Sequence, residues 1–164
     1  MQIGEGFAGG GPNAAHVNTV LGRKEGSVGT AWATALATPR QGHVPFVVVL
    51  RPNLPVKPAT LFVNKADIRG DLHAALTWGA AQAGVAKGVL GAVADGVVPA
   101  GEVDDLVLLA AVWLDWAADG EEEVYANNLR ATRDALAAGA EGRPRLEELL
   151  AGEGEPANPF FRRG

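Results

Sequence analysis

Nine apolar residues stand in an unbroken row from Leu106 to Leu114. A run of this kind cannot lie on a water-facing surface, and it is too short to span a bilayer as a helix, which takes about 20 residues. Periodicity does not separate a buried strand from a buried helix here, but the shortness of the run favours a strand. The chain is therefore expected to fold around an interior strand. With 164 residues it has the size of one domain and can bury enough surface to fold without staples.

The remaining elements follow from local patterns. Residues 1–25 read as two short strands around the turn-rich loop Gly9-Gly10-Gly11-Pro12-Asn13. Beyond the loop, Ala15, Val17, Thr19 and Leu21 alternate with His16 and Asn18, so the latter two share one strand face. A helix is expected over 27–38, with Ser27 as N-cap and Pro39 just past its end. Phe46-Val47-Val48-Val49-Leu50 reads as a buried strand, and a second strand is expected from Thr60 to Ile68, with Val63, Lys65 and Asp67 on one face. Between them, Pro52, Pro55 and Pro58 match a polyproline ligand less well than a stiff loop joining buried strands. Residues 71–95 form the clearest helix, with Leu72, Leu76, Gly79, Ala83, Ala86, Leu90 and Val93 as its apolar stripe. A charged helix runs from about Gly120 to Ala138, with Glu121-Glu122-Glu123 suited to the positive end of its dipole. The order β-β-α-β-β-α-β-α predicts a single α+β domain with helices packed on a mixed sheet. It occupies residues 1–151, and 152–164 form a Gly, Glu and Pro-rich tail.

Several function classes fall away. Cysteine is absent, which excludes disulfides, thiolate metal sites and cysteine nucleophiles. The three histidines, His16, His43 and His73, lack metal-ligand spacing, so no metal is expected. A net charge of -5 and an isoelectric point near 5.2 speak against a nucleic-acid partner. The first residues lack the basic head and apolar core of a signal peptide, and no membrane association is expected, so a cytoplasmic protein is the default. Gly4-Glu5-Gly6-Phe7-Ala8-Gly9 matches G-x-G-x-x-G, but a dinucleotide fingerprint needs a strand before it and a helix after it, and neither is expected. Trp113 and Trp116 fit a core or a subunit interface better than a ligand platform. His16, on a strand just after a glycine loop, is the candidate proton-transfer residue. His43 and His73 read as surface or turn residues.

The segment Pro52-Asn53-Leu54-Pro55-Val56-Lys57-Pro58 resembles the proline-bracketed loop of the formaldehyde-activating enzyme family, the tetrahydromethanopterin hydro-lyases. Collinear pieces extend the resemblance over almost the whole chain: Gly4-Glu5, Ala15-His16-Val17, Gly29-Thr30-Ala31, Asn64-Lys65, Gly79 to Ala86, Val98-Pro99, Asp104 to Val107 and Asn158-Pro159-Phe160. The resemblance implies a fold like domain two of ribosomal protein S5, assembled as a ring of five, with a pterin site between neighbouring subunits. It implies His16 as the acid, and Asn18, Val47, Lys65, Asp67 and Gln82 as ligand contacts. Where relatives carry aspartate two residues after the histidine this chain has Asn18, and where they carry threonine two residues after the lysine it has Asp67. Ala80 replaces a usual proline and Asp115 a usual histidine. The implied reaction condenses formaldehyde with tetrahydromethanopterin, or a related reduced pterin, and releases water. The departures keep two alternatives open: a same-fold enzyme with another amine, folate-type carrier or aldehyde, and a non-catalytic pterin-binding ring protein.

Overall fold

The computed structural model describes residues 1–151 together with Pro156 and Asn158. The strands among them are β1 (Gln2–Ala8), β2 (Ala15–Arg23), β3 (Phe46–Val47), β4 (Val49–Arg51), β5 (Leu54–Pro55), β6 (Ala59–Asn64) and β7 (Leu106–Trp113). The helices are α1 (Ser27–Ala37), α2 (Gly70–Leu76), α3 (Gln82–Ala94), α4 (Glu121–Glu141) and α5 (Leu146–Ala151). This is the expected single α+β domain. Five strands form one sheet in the order β1-β2-β7-β6-β3. The β6–β7 pair is parallel and its other pairs are antiparallel, so the sheet is mixed. The apolar run is indeed a strand, β7, and lies at the sheet's centre.

Helices α3 and α4 cover one face of the sheet. Against them the sheet presents Val17, Leu21, Phe62, Leu108, Ala110 and Val112, all buried. The contact is closest at β1. A Cβ on Gly4 would lie 1.7 Å from the Ala135 carbonyl oxygen, and one on Gly6 would lie 2.1 Å from that of Ala131. The glycines of the G-x-G-x-x-G match thus let a helix lie directly on a strand. The segment after them is a short turn and β2, with no helix to receive a pyrophosphate. Asn13, in the hairpin loop, ties the other end of the contact. Its side-chain oxygen accepts from the amides of Asp119 and Gly120 at 3.0 Å, and its amide donates to Glu123 at 2.7 Å. The hairpin loop therefore caps the start of α4.

Several expectations need correction. The run 46–50 is not one buried strand. It breaks into β3 and β4 around Val48, which is buried, while Leu50 is exposed. The proline loop contains a small hairpin, β4–β5, whose turn holds Asn53 at φ 65°, a left-handed conformation that asparagine tolerates. β6 stops at Asn64, so Asp67 does not share its strand face. Ser27 is the first helical residue of α1, after an N-cap at Gly26. The helix over 71–95 is interrupted by a π turn at Thr77–Ala81. The extra residue rotates the buried face: Leu72 and Gly79 are exposed, whereas His73, Thr77, Ala81, Val85 and Val89 are buried. Helix α5 was not anticipated. The tail from Gly152 lies outside the described residues apart from Pro156 and Asn158.

Gly4→Ala should destabilise the protein by about 3 kcal/mol, because its Cβ meets backbone that cannot rotate away. Gly10→Ala, at an extended residue with open space around its Cα, should change stability by less than about 0.5 kcal/mol. Denaturant titration of both variants checks the contrast.

Candidate active site

The face of the sheet turned away from α3 and α4 carries the polar residues. Along β2 the buried residues are Val17, Thr19 and Leu21, so His16 and Asn18 point the other way, as their alternation requires. The hairpin register places Phe7 opposite His16 and Glu5 opposite Asn18. On the other side of β2, Trp113 faces His16 and Ala111 faces Asn18. Helix α1 packs against β2 and β7, with Val28 against Gly22. The stretch around His16 stays partly open, and the imidazole is about a third exposed (37%).

Three side chains meet there with His16. Its Nε2 lies 2.9 Å from the Glu5 carboxylate. The Phe7 ring stands beside it, tilted, with centroids 6.2 Å apart. Lys65 approaches from the far side of β7. Its backbone amide donates to the Val112 carbonyl at 2.7 Å, which extends the β6–β7 ladder by one residue. Its Nζ donates to Asn18 Oδ1 at 2.8 Å. The small Ala111 between the two strands leaves room for that reach.

The electrostatics of these groups are linked. Partial burial holds the His16 imidazole below its ordinary 6.5, and the Lys65 charge adds to the effect, while the charge and hydrogen bond of Glu5 oppose it. Burial also brings the Lys65 amine down to about 8, again against the pull of Glu5. Two groups whose charged forms are both disfavoured thus share one half-open patch, a common mark of a functional site.

The other positions lie elsewhere. Asp67 pairs with Arg69 at 3.5 Å, and its carbonyl accepts from the Trp116 indole at 3.0 Å. The Arg69 guanidinium lies 3.4 Å over the Trp116 ring. Trp116 therefore pins the loop that follows Lys65. Lys65 pairs with Asn18 and not with Asp67, and the carboxylate beside His16 comes from Glu5. Val47 and Gln82 line a separate, largely apolar cleft of about 550 Å³ with Val44, Phe46, Val49 and Trp78. Gln82 Oε1 accepts from the Val49 amide at 2.7 Å, which leaves its NH₂ group for the cleft. Val47 sits on β3, three strand spacings or roughly 14 Å from β2. Within one chain the cleft and the His16 patch are apart.

The other histidines are structural. His43 bonds through Nδ1 to the Asn64 carbonyl at 2.9 Å within a turn. His73 is not a surface residue but is buried. Its Nδ1 accepts from the Arg69 amide at 3.2 Å, and Nε2 lies 3.3 Å from the Leu114 carbonyl. Among the described residues, no three His, Asp or Glu side chains gather as a metal ion would require. No helix among them is long and apolar enough to cross a membrane.

A family profile described as "Formaldehyde-activating enzyme (Fae)" matches residues 3–161. The chain belongs to the formaldehyde-activating enzyme family. It is 46% identical to a 5,6,7,8-tetrahydromethanopterin hydro-lyase of Methanosarcina barkeri, over 97% of this chain and 89% of that protein. It is 41% identical to a bifunctional enzyme Fae/Hps of Methanococcoides burtonii and 37% identical to one of Methanosphaera stadtmanae. These cover 92% and 98% of this chain but only 38% and 39% of those longer proteins.

In this family member Glu5 is the site neighbour that reading along the chain missed. The signal was present, because a hairpin that pairs residue 8 with residue 15 must set residue 5 against residue 18. The balance at His16 can be tested. Glu5→Gln should lower the His16 pKa further, because it removes the carboxylate that raises it, and Lys65→Met should raise it, because it removes a neighbouring positive charge. NMR titration of the imidazole reads both shifts, and opposite signs are expected.

Proposed function

We propose that this chain condenses formaldehyde with tetrahydromethanopterin, with loss of water, and that His16 supplies the proton for that loss. The observation that carries the reading is the family match over nearly the whole chain together with His16 and Lys65 on one open patch of sheet. One pterin nitrogen adds to formaldehyde and gives a carbinolamine. The His16 imidazolium protonates the departing hydroxyl, water leaves, and the second nitrogen closes on the iminium carbon. Because the condensation also proceeds without catalysis, the protein contributes chiefly by holding the two nitrogens in place and by assisting water loss. In our reading Asn18, Lys65 and Asp67 contact the pterin from one side, and Val47 and Gln82 contact it from the other.

The Asn18–Lys65 pair and the Val47–Gln82 cleft lie apart within a single chain. Their separation supports a site completed by a neighbouring copy, with the His16 patch of one subunit against the Val47–Gln82 cleft of the next. Ile3 and Phe7 on β1, which are 60% and 43% exposed, give that edge apolar surface for such a contact. We read the assembly as a ring of five subunits of a fold like domain two of ribosomal protein S5. Residues 1–151 form the enzyme domain and 152–164 its tail.

His16→Ala should keep the fold and lower the rate above the spontaneous background by about 10² to 10⁴-fold, the range for a positioned acid. His43→Ala should leave the rate nearly unchanged. His73 is no control, because it is buried and its loss would leave the Arg69 amide and the buried Leu114 carbonyl without their partner. Full turnover by His16→Ala would remove the acid from the mechanism. Light scattering should find an oligomer at micromolar concentration, and a stable monomer would rule out the shared cleft.

A further inference from the structure

The chain has four lysines, and they are not equivalent. Lys24 bonds the Asp104 carbonyl and Lys57 pairs with the Asp104 carboxylate at 2.6 Å. Lys87 is exposed on α3. Lys65 alone is drawn into a patch beside an imidazole, and its Nζ is held by a neutral amide oxygen, Asn18 Oδ1, at 2.8 Å. Among the described residues no carboxylate lies within ion-pair distance of it. The charged or titratable groups that face it are Glu5 from β1 and His16 from β2, while β7 offers only Ala111 and Trp113 between them.

We propose that Lys65 is a covalent carrier of the one-carbon unit: its amine condenses with formaldehyde to an iminium, which the pterin nitrogen then attacks. This rests on the formaldehyde reading above and deepens it by replacing its first step: the carbinolamine and the first iminium form on Lys65, before the pterin nitrogen enters. Donation of one N–H to Asn18 orients the amine and leaves its lone pair free. Burial brings the amine down to about 8, so a usable fraction is unprotonated near neutrality, the usual route to a nucleophilic lysine. Formaldehyde in water is largely hydrated and poorly electrophilic, and an enzyme-bound iminium keeps it dehydrated and reactive.

The steps balance. The Lys65 amine forms a C–N bond with formaldehyde and gives the carbinolamine Lys65–NH–CH₂OH. The His16 imidazolium protonates the hydroxyl, the C–O bond breaks, water leaves, and the nitrogen lone pair makes Lys65–NH⁺=CH₂. A pterin N–H nitrogen bonds to the methylene carbon while the π pair returns to the lysine nitrogen. The proton moves from the pterin nitrogen to the lysine nitrogen, the lysine C–N bond breaks, and free amine departs from a pterin iminium. The second pterin nitrogen closes on the carbon, and its proton restores the His16 imidazolium. Neither oxidant nor reductant is consumed.

The test treats the full chain with stoichiometric ¹³C-formaldehyde and cyanoborohydride, which reduces an iminium to a stable N-methyl amine, followed by peptide mass mapping. Lys65 should be methylated at least about tenfold faster than Lys24, Lys57 or Lys87. Activity should fall in step, and tetrahydromethanopterin added first should protect Lys65. His16→Ala should slow the labelling of Lys65 and not that of Lys87. Lys65→Arg, which keeps the charge, should lose the rate above background. Unselective labelling by a chain that still turns over, or full activity in Lys65→Arg, would overturn the carrier role and leave the pterin reading intact. Selective labelling of Lys65 in a chain that turns over no reduced pterin would support the carrier and end the pterin reading instead.

Discussion

Helix α4 lies on β1 because Gly4 and Gly6 present no side chain to it, and the placement of the site depends on that contact. With one face of the β1–β2 hairpin pressed against a helix, strand alternation leaves no choice about the other. Glu5, Phe7, His16 and Asn18 must all face away. Asn13 fixes the same relation from the loop end by capping the start of α4. A slip of one residue in the hairpin would turn His16 into the core and Val17 toward solvent. The helix contact thus secures the register that brings Glu5, Phe7, His16 and Asn18 together on the open face.

The open face is tuned by what it lacks as much as by what it holds. Glu5 is the carboxylate next to His16, and it is well exposed, so its stabilisation of an imidazolium is screened by water. The partner of Lys65 is an amide. An amide oxygen fixes the ammonium or amine in space without charge to keep it protonated. A carboxylate at position 18 would hold Lys65 protonated and would favour the imidazolium. With Asn18 there, no charge at that position raises either group, and both are held below their ordinary values. Asp67 does not make up the missing charge, because β6 has ended and Trp116 and Arg69 hold the loop another way.

Much of this was legible in the sequence where a short-range rule suffices. The alternation in 15–21 put His16 and Asn18 on one face, and the apolar run in 106–114 marked the central strand. Longer-range features were not legible. The π turn at Thr77–Ala81 moved the buried face from Leu72 and Gly79 to His73, Thr77 and Ala81, and no local pattern announces one extra residue in a helix. His73, which reads as a surface or turn residue, is buried by that rotation. Asp67 was extrapolated along a strand that stops at Asn64, because alternation persists in a sequence beyond the hydrogen bonds that give it meaning. Glu5 required the register of the hairpin. The fold was more legible than the site, since burial is written in residue type, whereas side-chain encounters are set by register and by where strands end.

The order in which the two groups titrate bears on how such a patch works. His16 is held below 6.5 and Lys65 lies near 8, so between those values the common form has a neutral imidazole and a charged amine. The form that suits an acid beside a nucleophile is the reverse, a charged imidazole and a free amine. It differs from the common form only by the position of one proton, so its population is constant across that interval and falls away on both sides. The pH profile of such a pair is a plateau with two limbs, whichever form reacts. The cost is a small reactive fraction. The compensation is chemical, because a histidine of lower pKa is a stronger acid toward the departing hydroxyl and a lysine of higher pKa is a stronger nucleophile. Half-burial lowers both groups, and the neutral Asn18 adds no fixed negative charge that would raise them again.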